Sequence, residues 1–161
     1  MTKPIVSIII PAYNEEKFIG KTLESVKNAI QKYGNPDAVE VIVVNNNSSD
    51  RTEEIAKGYS TKVVFEKENH IAKARNSGVS CATGKYLIFL DADTLIHKNL
   101  ICRAEDLLST GKIVGGGAFV ECDKYWDDKL IYKLLNYLCR LIKKCYGAFL
   151  FCDPTWYKVK R

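Results

Sequence analysis

The sequence predicts an α/β protein, with a mostly parallel sheet covered by helices on both faces. Short, β-rich apolar runs alternate with longer segments whose apolar residues recur at helical spacing. The runs are predominantly apolar, as expected of strands buried on both faces. Several of them end abruptly in a polar cluster.

Ile5 to Ile10 reads as the first buried strand, with Pro11 as its stop. From Glu15 onward, Ile19, Leu23, Val26, Ile30 and Tyr33 form the inward stripe of a helix that Gly34-Asn35-Pro36 ends. Val41 to Val44 is a second strand, running into Asn45-Asn46-Asn47-Ser48-Ser49-Asp50. Asp50 with Glu53 has the form of an N-cap and its capping partner, opening a helix to about Gly58. The pattern then repeats: Lys62 to Glu66 as strand, Ile71 to Ala82 as helix, Tyr86 to Leu90 as strand ending at Asp91. A helix from Lys98 to Thr110 is expected to turn Leu100, Ile101, Ala104, Leu107 and Leu108 inward, before a strand-like stretch from Ile113 to Val120.

At 161 residues the chain suits a single domain with a genuine core. It is 47% hydrophobic and 27% charged, an ordinary globular balance. The net charge of +5 gathers late, at Lys143, Lys144, Lys158, Lys160 and Arg161. That pattern suggests local attraction to anionic surfaces and argues against a nucleic-acid binder. The six cysteines form no C-x-x-C pair and have no histidine cluster, so reduced thiols in a cytosolic protein are expected, not zinc ligands. The N-terminus enters a strand pattern directly, without a signal-peptide pattern. No apolar run approaches the roughly 20 residues that span a bilayer, so a cytoplasmic location is expected.

In open parallel sheets, ligands bind outside the carboxyl ends of the strands. Tyr13-Asn14-Glu15, Asn45 to Asp50 and Asp91-Ala92-Asp93 all follow strands directly, so three segments converge on one edge. Neither G-x-G-x-x-G after the first strand nor G-x-x-x-x-G-K-[ST] is present, which disfavours a backbone phosphate cradle. A hard cation between carboxylates is the other way to hold phosphate; Mg²⁺ or Mn²⁺ commonly takes one or two carboxylates plus phosphate oxygens. Asp91 and Asp93, at i and i+2 of a strand end, point to the same side and suit that role. The competing reading is that Asp93 or Thr94 caps the next helix. Comparable alternatives stand beside the other residues. Pro11 could only end a strand, Tyr13 could be packing, Glu15 a first-turn charge, Arg75 a solvated side chain, and Asn46 to Ser49 plain turn chemistry.

Four segments, in order and spacing, resemble glycosyltransferase family 2, whose members have the GT-A (Rossmann-like) fold. They are Val6-Ser7-Ile8-Ile9-Ile10-Pro11-Ala12-Tyr13-Asn14-Glu15-Glu16, Val43 to Asp50, Ala74-Arg75-Asn76-Ser77-Gly78, and Gly84 to Asp93. A weaker likeness continues at Gly147 to Cys152, similar to the strand before the family's acceptor-side segment. The resemblance implies a single domain over 1–161, with 1–95 the donor-binding half and 96–161 a partial acceptor-side half. It implies that Pro11, Ala12, Tyr13 and Glu15 line the base and ribose of a nucleotide-sugar. Asn45 would bond the base edge, Arg75 would help fix the nucleotide, Asp91 would contact ribose or the metal shell, and Asp93 would ligate Mn²⁺ or Mg²⁺ directly. The expected activity is inverting, metal-dependent transfer from a UDP-linked sugar to a saccharide or lipid-linked acceptor.

Two departures qualify that expectation. The family usually has Asp at the place of Asn45, and an amide donates as well as accepts. The family's general base should follow the strand at Gly147 to Cys152, but the chain ends at Arg161, without the Gly-Gly-Phe and Glu-Asp patterns. Asp153 is a weak candidate for the base, with Glu121 and Asp123 as stand-ins by position. A missing base would remove roughly 10²–10⁴-fold of rate. The alternatives are therefore a truncated or catalytically impaired donor-binding module completed by a partner, and, more remotely, a nucleotidyltransferase. Residues 127–145 read as an amphipathic helix with basic charge. It could lie on the inner face of a membrane, or pack on the domain.

Overall fold

A computed structural model describes residues 3–117 and the backbone of 149–152. Among the described residues, six strands lie in the order β3-β2-β1-β4-β6-β5. They are β1 (Val6–Ala12), β2 (Val39–Asn45), β3 (Lys62–Phe65), β4 (Tyr86–Leu90), β5 (Gly115–Gly116) and β6 (Phe149–Cys152). The first four are mutually parallel, β6 is antiparallel to β4, and β5 pairs antiparallel with β6. The intervening helices are α1 (Ile19–Tyr33), α2 (Thr52–Gly58), α3 (Ile71–Cys81) and α4 (Leu100–Ser109).

Strand alternation divides the core into two layers. Val6, Ile8, Ile10 and Ala12 of β1, Val43 of β2, and Tyr86, Ile88 and Leu90 of β4 pack under α1, α2 and α4. Ile9, Ile42, Val44, Leu87 and Phe89 point the other way, against Ala74 and Val79 of α3. Both faces are covered, which is why these strands are predominantly apolar, with Ser7 and Glu40 among the exceptions. Helix α3 lies very close to the sheet: a Cβ built on Gly78 would stand 2.4 Å from Cγ2 of Ile9 and 3.1 Å from Cγ2 of Val44. Only glycine permits that approach.

Several boundaries differ from the sequence expectation. Pro11 does not stop β1, which continues to Ala12. The carbonyl of Ala12 accepts from the Asn46 amide on the β2 side, so by alternation Pro11 faces the β4 side. Pairing with β4 has already ended there, at Ile9 and Phe89, so the missing proline N–H leaves no ladder bond unmade. The capping box at α2 does not form. The Asp50 carboxylate accepts from the Thr52 amide and hydroxyl, while Glu53 turns away to Asn45 and Lys57. Leu107 is exposed, not inward, and the last described residues of the expected strand at Ile113 form only β5. Helix α1 does end at Gly34, whose φ of 82° is the left-handed cap the sequence suggested.

At the edge away from the strand carboxyl ends, Glu40 ties three segments together. Its Oε1 accepts from Ser7 Oγ (2.6 Å), Thr83 N (2.6 Å), Thr83 Oγ1 (2.9 Å) and Gly84 N (3.0 Å). Burial works to raise this carboxyl, but the bonds from Ser7, Thr83 and Gly84 outweigh it and hold the carboxyl below its ordinary value of 4.5. A depressed folded pKa contributes stability above the unfolded value, lost as pH falls through the folded one. Glu40→Gln is expected to destabilise by about 1–3 kcal/mol near neutral pH. Urea denaturation at stepped pH should show the gap to wild type closing below about pH 4.5. Gly78→Ala is expected to cost about 1–3 kcal/mol at any pH through overpacking, measured in the same way.

Candidate functional site

The strand order reverses between β1 and β4, and there the two strands part. A cavity of about 400 Å³ opens at that point, beyond their carboxyl ends. Pro11, Ala12, Tyr13 and Glu15 line it from the β1 side, and Asp91, Ala92 and Asp93 from the β4 side. Asn46 borders it after β2, and Ile71 and Arg75 from α3.

Each wall is held by identifiable bonds. Ala92 is buried, and its carbonyl accepts from the buried Thr22 hydroxyl of α1 at 2.7 Å. The Ile96 amide bonds Ser25 Oγ of the same helix. With Ala92 anchored, Asp91 and Asp93 flank a small buried residue and both reach the cavity. Asp93 does not cap α4. That helix begins at Leu100 with Asn99 at its N-cap, and Asp93 instead accepts weakly from the Thr94 hydroxyl at 3.3 Å. The β1–α1 loop is pegged to the β2–α2 loop: Asn14 N donates to Ser48 Oγ, Glu15 N to Thr52 Oγ1, and Glu16 N to Asp50 Oδ2. Glu15 precedes α1 instead of sitting in its first turn, and Tyr13 is 46% exposed on the cavity rim, outside the core.

The site gathers Glu15, Asp91 and Asp93 near the Arg75 guanidinium. Arg75 Nη2 meets Asp91 Oδ1 at 3.0 Å. Burial pushes the Asp91 carboxyl up, the Arg75 guanidinium opposes that, and Asp93 adds to the rise; the net shift is upward. Glu15 is raised too, by burial first and then by the charges of Asp93 and Asp50. Arg75 Nε is buried without a hydrogen-bond partner. Among the described residues, no group of three or more His, Cys, Asp or Glu is arranged as a metal cage. Two carboxylates completed by phosphate oxygens remain the donor set that suits Mg²⁺ or Mn²⁺.

The structure therefore brings Pro11, Ala12, Tyr13, Glu15, Arg75, Asp91 and Asp93 to one cavity. It does not bring Asn45 there. The Asn45 amide is buried on the α2 side, where Nδ2 donates to Glu53 at 2.6 Å and Oδ1 accepts from Ser48 N at 2.8 Å. Asn46 is the residue on the wall. Its Nδ2 donates to Asn69 Oδ1 and its Oδ1 accepts from His70 N, both at 3.2 Å. Strand period marks the difference, because Asn46 continues the Ile42-Val44 face toward α3 and Asn45 the Val43 face toward α2. Asp153, Glu121, Asp123 and the 127–145 segment lie outside the described residues.

The sequence model of Glycosyl transferase family 2 matches residues 7–159. The chain belongs to glycosyl transferase family 2. This family 2 chain is 39% identical to glycosyltransferase AglE of Haloferax volcanii over 72% of its own length and 40% of that relative's. It is 33% identical to the putative glycosyltransferase EpsH of Bacillus subtilis, over 60% of the chain and 28% of the relative. The chain thus spans less than half the length of these curated relatives. Among solved structures, S. aureus TarS 1-349 in complex with UDP-GlcNAc matches over 96% of this chain and 47% of its own, at 24% identity and a TM-score of 0.73. The mannosyltransferase PcManGT of Pyrobaculum calidifontis, in complex with GDP-Man and Mn²⁺, matches over 95% and 45%, at 20% identity and 0.73. These likenesses establish the fold, which is the GT-A type.

The Arg75–Asp91 pair makes a measurable claim. Arg75→Met should move the Asp91 carboxyl further above its ordinary value, because burial and Asp93 then act unopposed. Carboxyl-¹³C NMR titration reads the direction; an unmoved or lowered Asp91 would contradict the pairing.

Proposed function

We propose that this family 2 member binds a nucleotide-diphosphate sugar through Asp91, Asp93 and a divalent cation, Mn²⁺ or Mg²⁺, for transfer of the sugar to an acceptor hydroxyl. The observation that carries this reading is the meeting of Glu15, Asp91, Asp93 and Arg75 at the cavity where β1 and β4 part. Clustered carboxylates with raised pKa values suit a cation. The orphaned Arg75 Nε suits an oxygen of the bound donor.

Asp93, exposed and bound among the described residues only to Thr94, would be the direct ligand, and Asp91, tethered to Arg75, would contact ribose or the metal shell. When bound, the cation would offset the diphosphate charge as the nucleotide leaves. The chain's own residues would do the rest: Pro11, Ala12 and Tyr13 shape the nucleoside wall, and Asn46, in place of Asn45, offers its amide to the base edge. The structures matched above include complexes with UDP-GlcNAc and with GDP-Man plus Mn²⁺, which supports a nucleotide-sugar donor; UDP is the proposed nucleotide. A saccharide or lipid-linked acceptor and a base supplied by Asp153 belong to the same proposal.

Isothermal titration of the 161-residue chain with UDP and with GDP, each with Mn²⁺ and then EDTA, tests the donor site. Asp93→Ala should weaken metal-dependent binding at least roughly tenfold, on the order of 1.4 kcal/mol. Binding equal to wild type would refute the assignment. Release of free nucleotide from a UDP-sugar separates a transferase from a module that only binds.

A further inference from the structure

Between Tyr13 and Glu15, which both line the cavity, Asn14 adopts a left-handed φ of 53°. Among residues other than glycine, asparagine tolerates that conformation best, and contacts from outside the loop help to fix it. The β2–α2 loop does so through a directed relay. Glu15 N donates to Thr52 Oγ1 at 2.8 Å, and the Thr52 hydroxyl donates to Asp50 Oδ1 at 2.5 Å. The other oxygen of Asp50 accepts from Glu16 N at 3.0 Å. An ionised carboxylate only accepts, so Asp50 compels the Thr52 proton toward itself and leaves a Thr52 lone pair for Glu15. Burial works against this charge, but the bonds from Thr52 and Glu16 keep the Asp50 carboxyl below its ordinary value. Thr52 is fully buried, so water does not replace its hydroxyl. Asn14 Oδ1 closes the clasp by accepting from Ser49 N at 2.8 Å.

We propose that Thr52 and Asp50, which do not line the cavity, are positioning residues that fix the Tyr13–Glu15 wall of the donor site before ligand arrives. This rests on the donor-site reading. A preorganised wall spares the ordering cost that a loose loop would pay on binding. Loss of the relay therefore weakens nucleotide affinity in the folded protein, beyond any effect on stability.

The test compares Thr52→Val, Thr52→Ser and Asp50→Asn with wild type. Each receives a melting temperature and a Kd for UDP and for GDP with Mn²⁺. Thr52→Val keeps the shape and removes the hydroxyl; its Kd should rise roughly tenfold, as expected for one lost buried hydrogen bond. Thr52→Ser should restore wild-type affinity, and Asp50→Asn should weaken binding roughly fivefold. Glu40→Gln, at the opposite edge of the sheet, should lower the melting temperature without changing Kd. If Thr52→Val and Asp50→Asn bind within about twofold of wild type while folded, the relay is only structural and the inference is overturned. Should Thr52→Val not fold, Asp50→Asn decides alone by the same criterion. If wild type binds neither nucleotide, the donor-site reading fails and takes the inference with it.

Discussion

Pairing between β1 and β4 ends at Ile9 and Phe89, and the site depends on that parting. Helix α1 carries the chain to one side of β1, on one face of the sheet. Helix α3 returns it to the other side, on the opposite face. Two strands whose connections leave in opposite directions must open a crevice above their carboxyl ends. Pro11 sits at the opening, paired in register with Val44 but with no β4 partner for its missing N–H to lose. The residues that line the cavity are arranged around this gap, and the apolar layers lie beneath it.

The walls are anchored by small buried residues. Ala92 lies between the two aspartates and is gripped by Thr22, and Gly78 lets α3 descend onto Ile9 and Val44 so that Arg75, three residues earlier, reaches Asp91. Charges that the fold would otherwise disperse are thereby brought together and partly desolvated. Glu15 and Asp91 respond with raised pKa values, chiefly because burial disfavours their charged forms, and at Asp91 the Arg75 guanidinium offsets only part of that rise. Desolvated carboxylates gathered in this way are the basis for the cation site proposed above.

Much of this was legible in the residues. Predominantly apolar runs announced doubly covered strands, and Tyr86–Leu90 was readable to the residue. The Asp91-Ala92-Asp93 triplet is ambiguous in sequence between cap and ligand, and Asn99 at the N-cap of α4 removes the first of those readings. Asp50 and Glu53 matched a capping box by spacing, yet Glu53 found Asn45 and Lys57 as partners. Local spacing cannot count partners that arrive from a neighbouring strand. Asn45 and Asn46 are likewise not distinguished by local sequence, because adjacent identical side chains differ only in the face they occupy.

The sequence by itself determined the elements, their burial on two faces and the family, because hydrophobic period and motif order are properties of the chain alone. Tertiary structure decided which of two neighbouring asparagines faces the cavity, and that Pro11 continues its strand. It also decided that Asp50 and Thr52 serve the loop beside them instead of a capping box. Those outcomes depend on strand register and on groups dozens of residues apart competing for the same hydrogen bonds, and no local pattern records that competition.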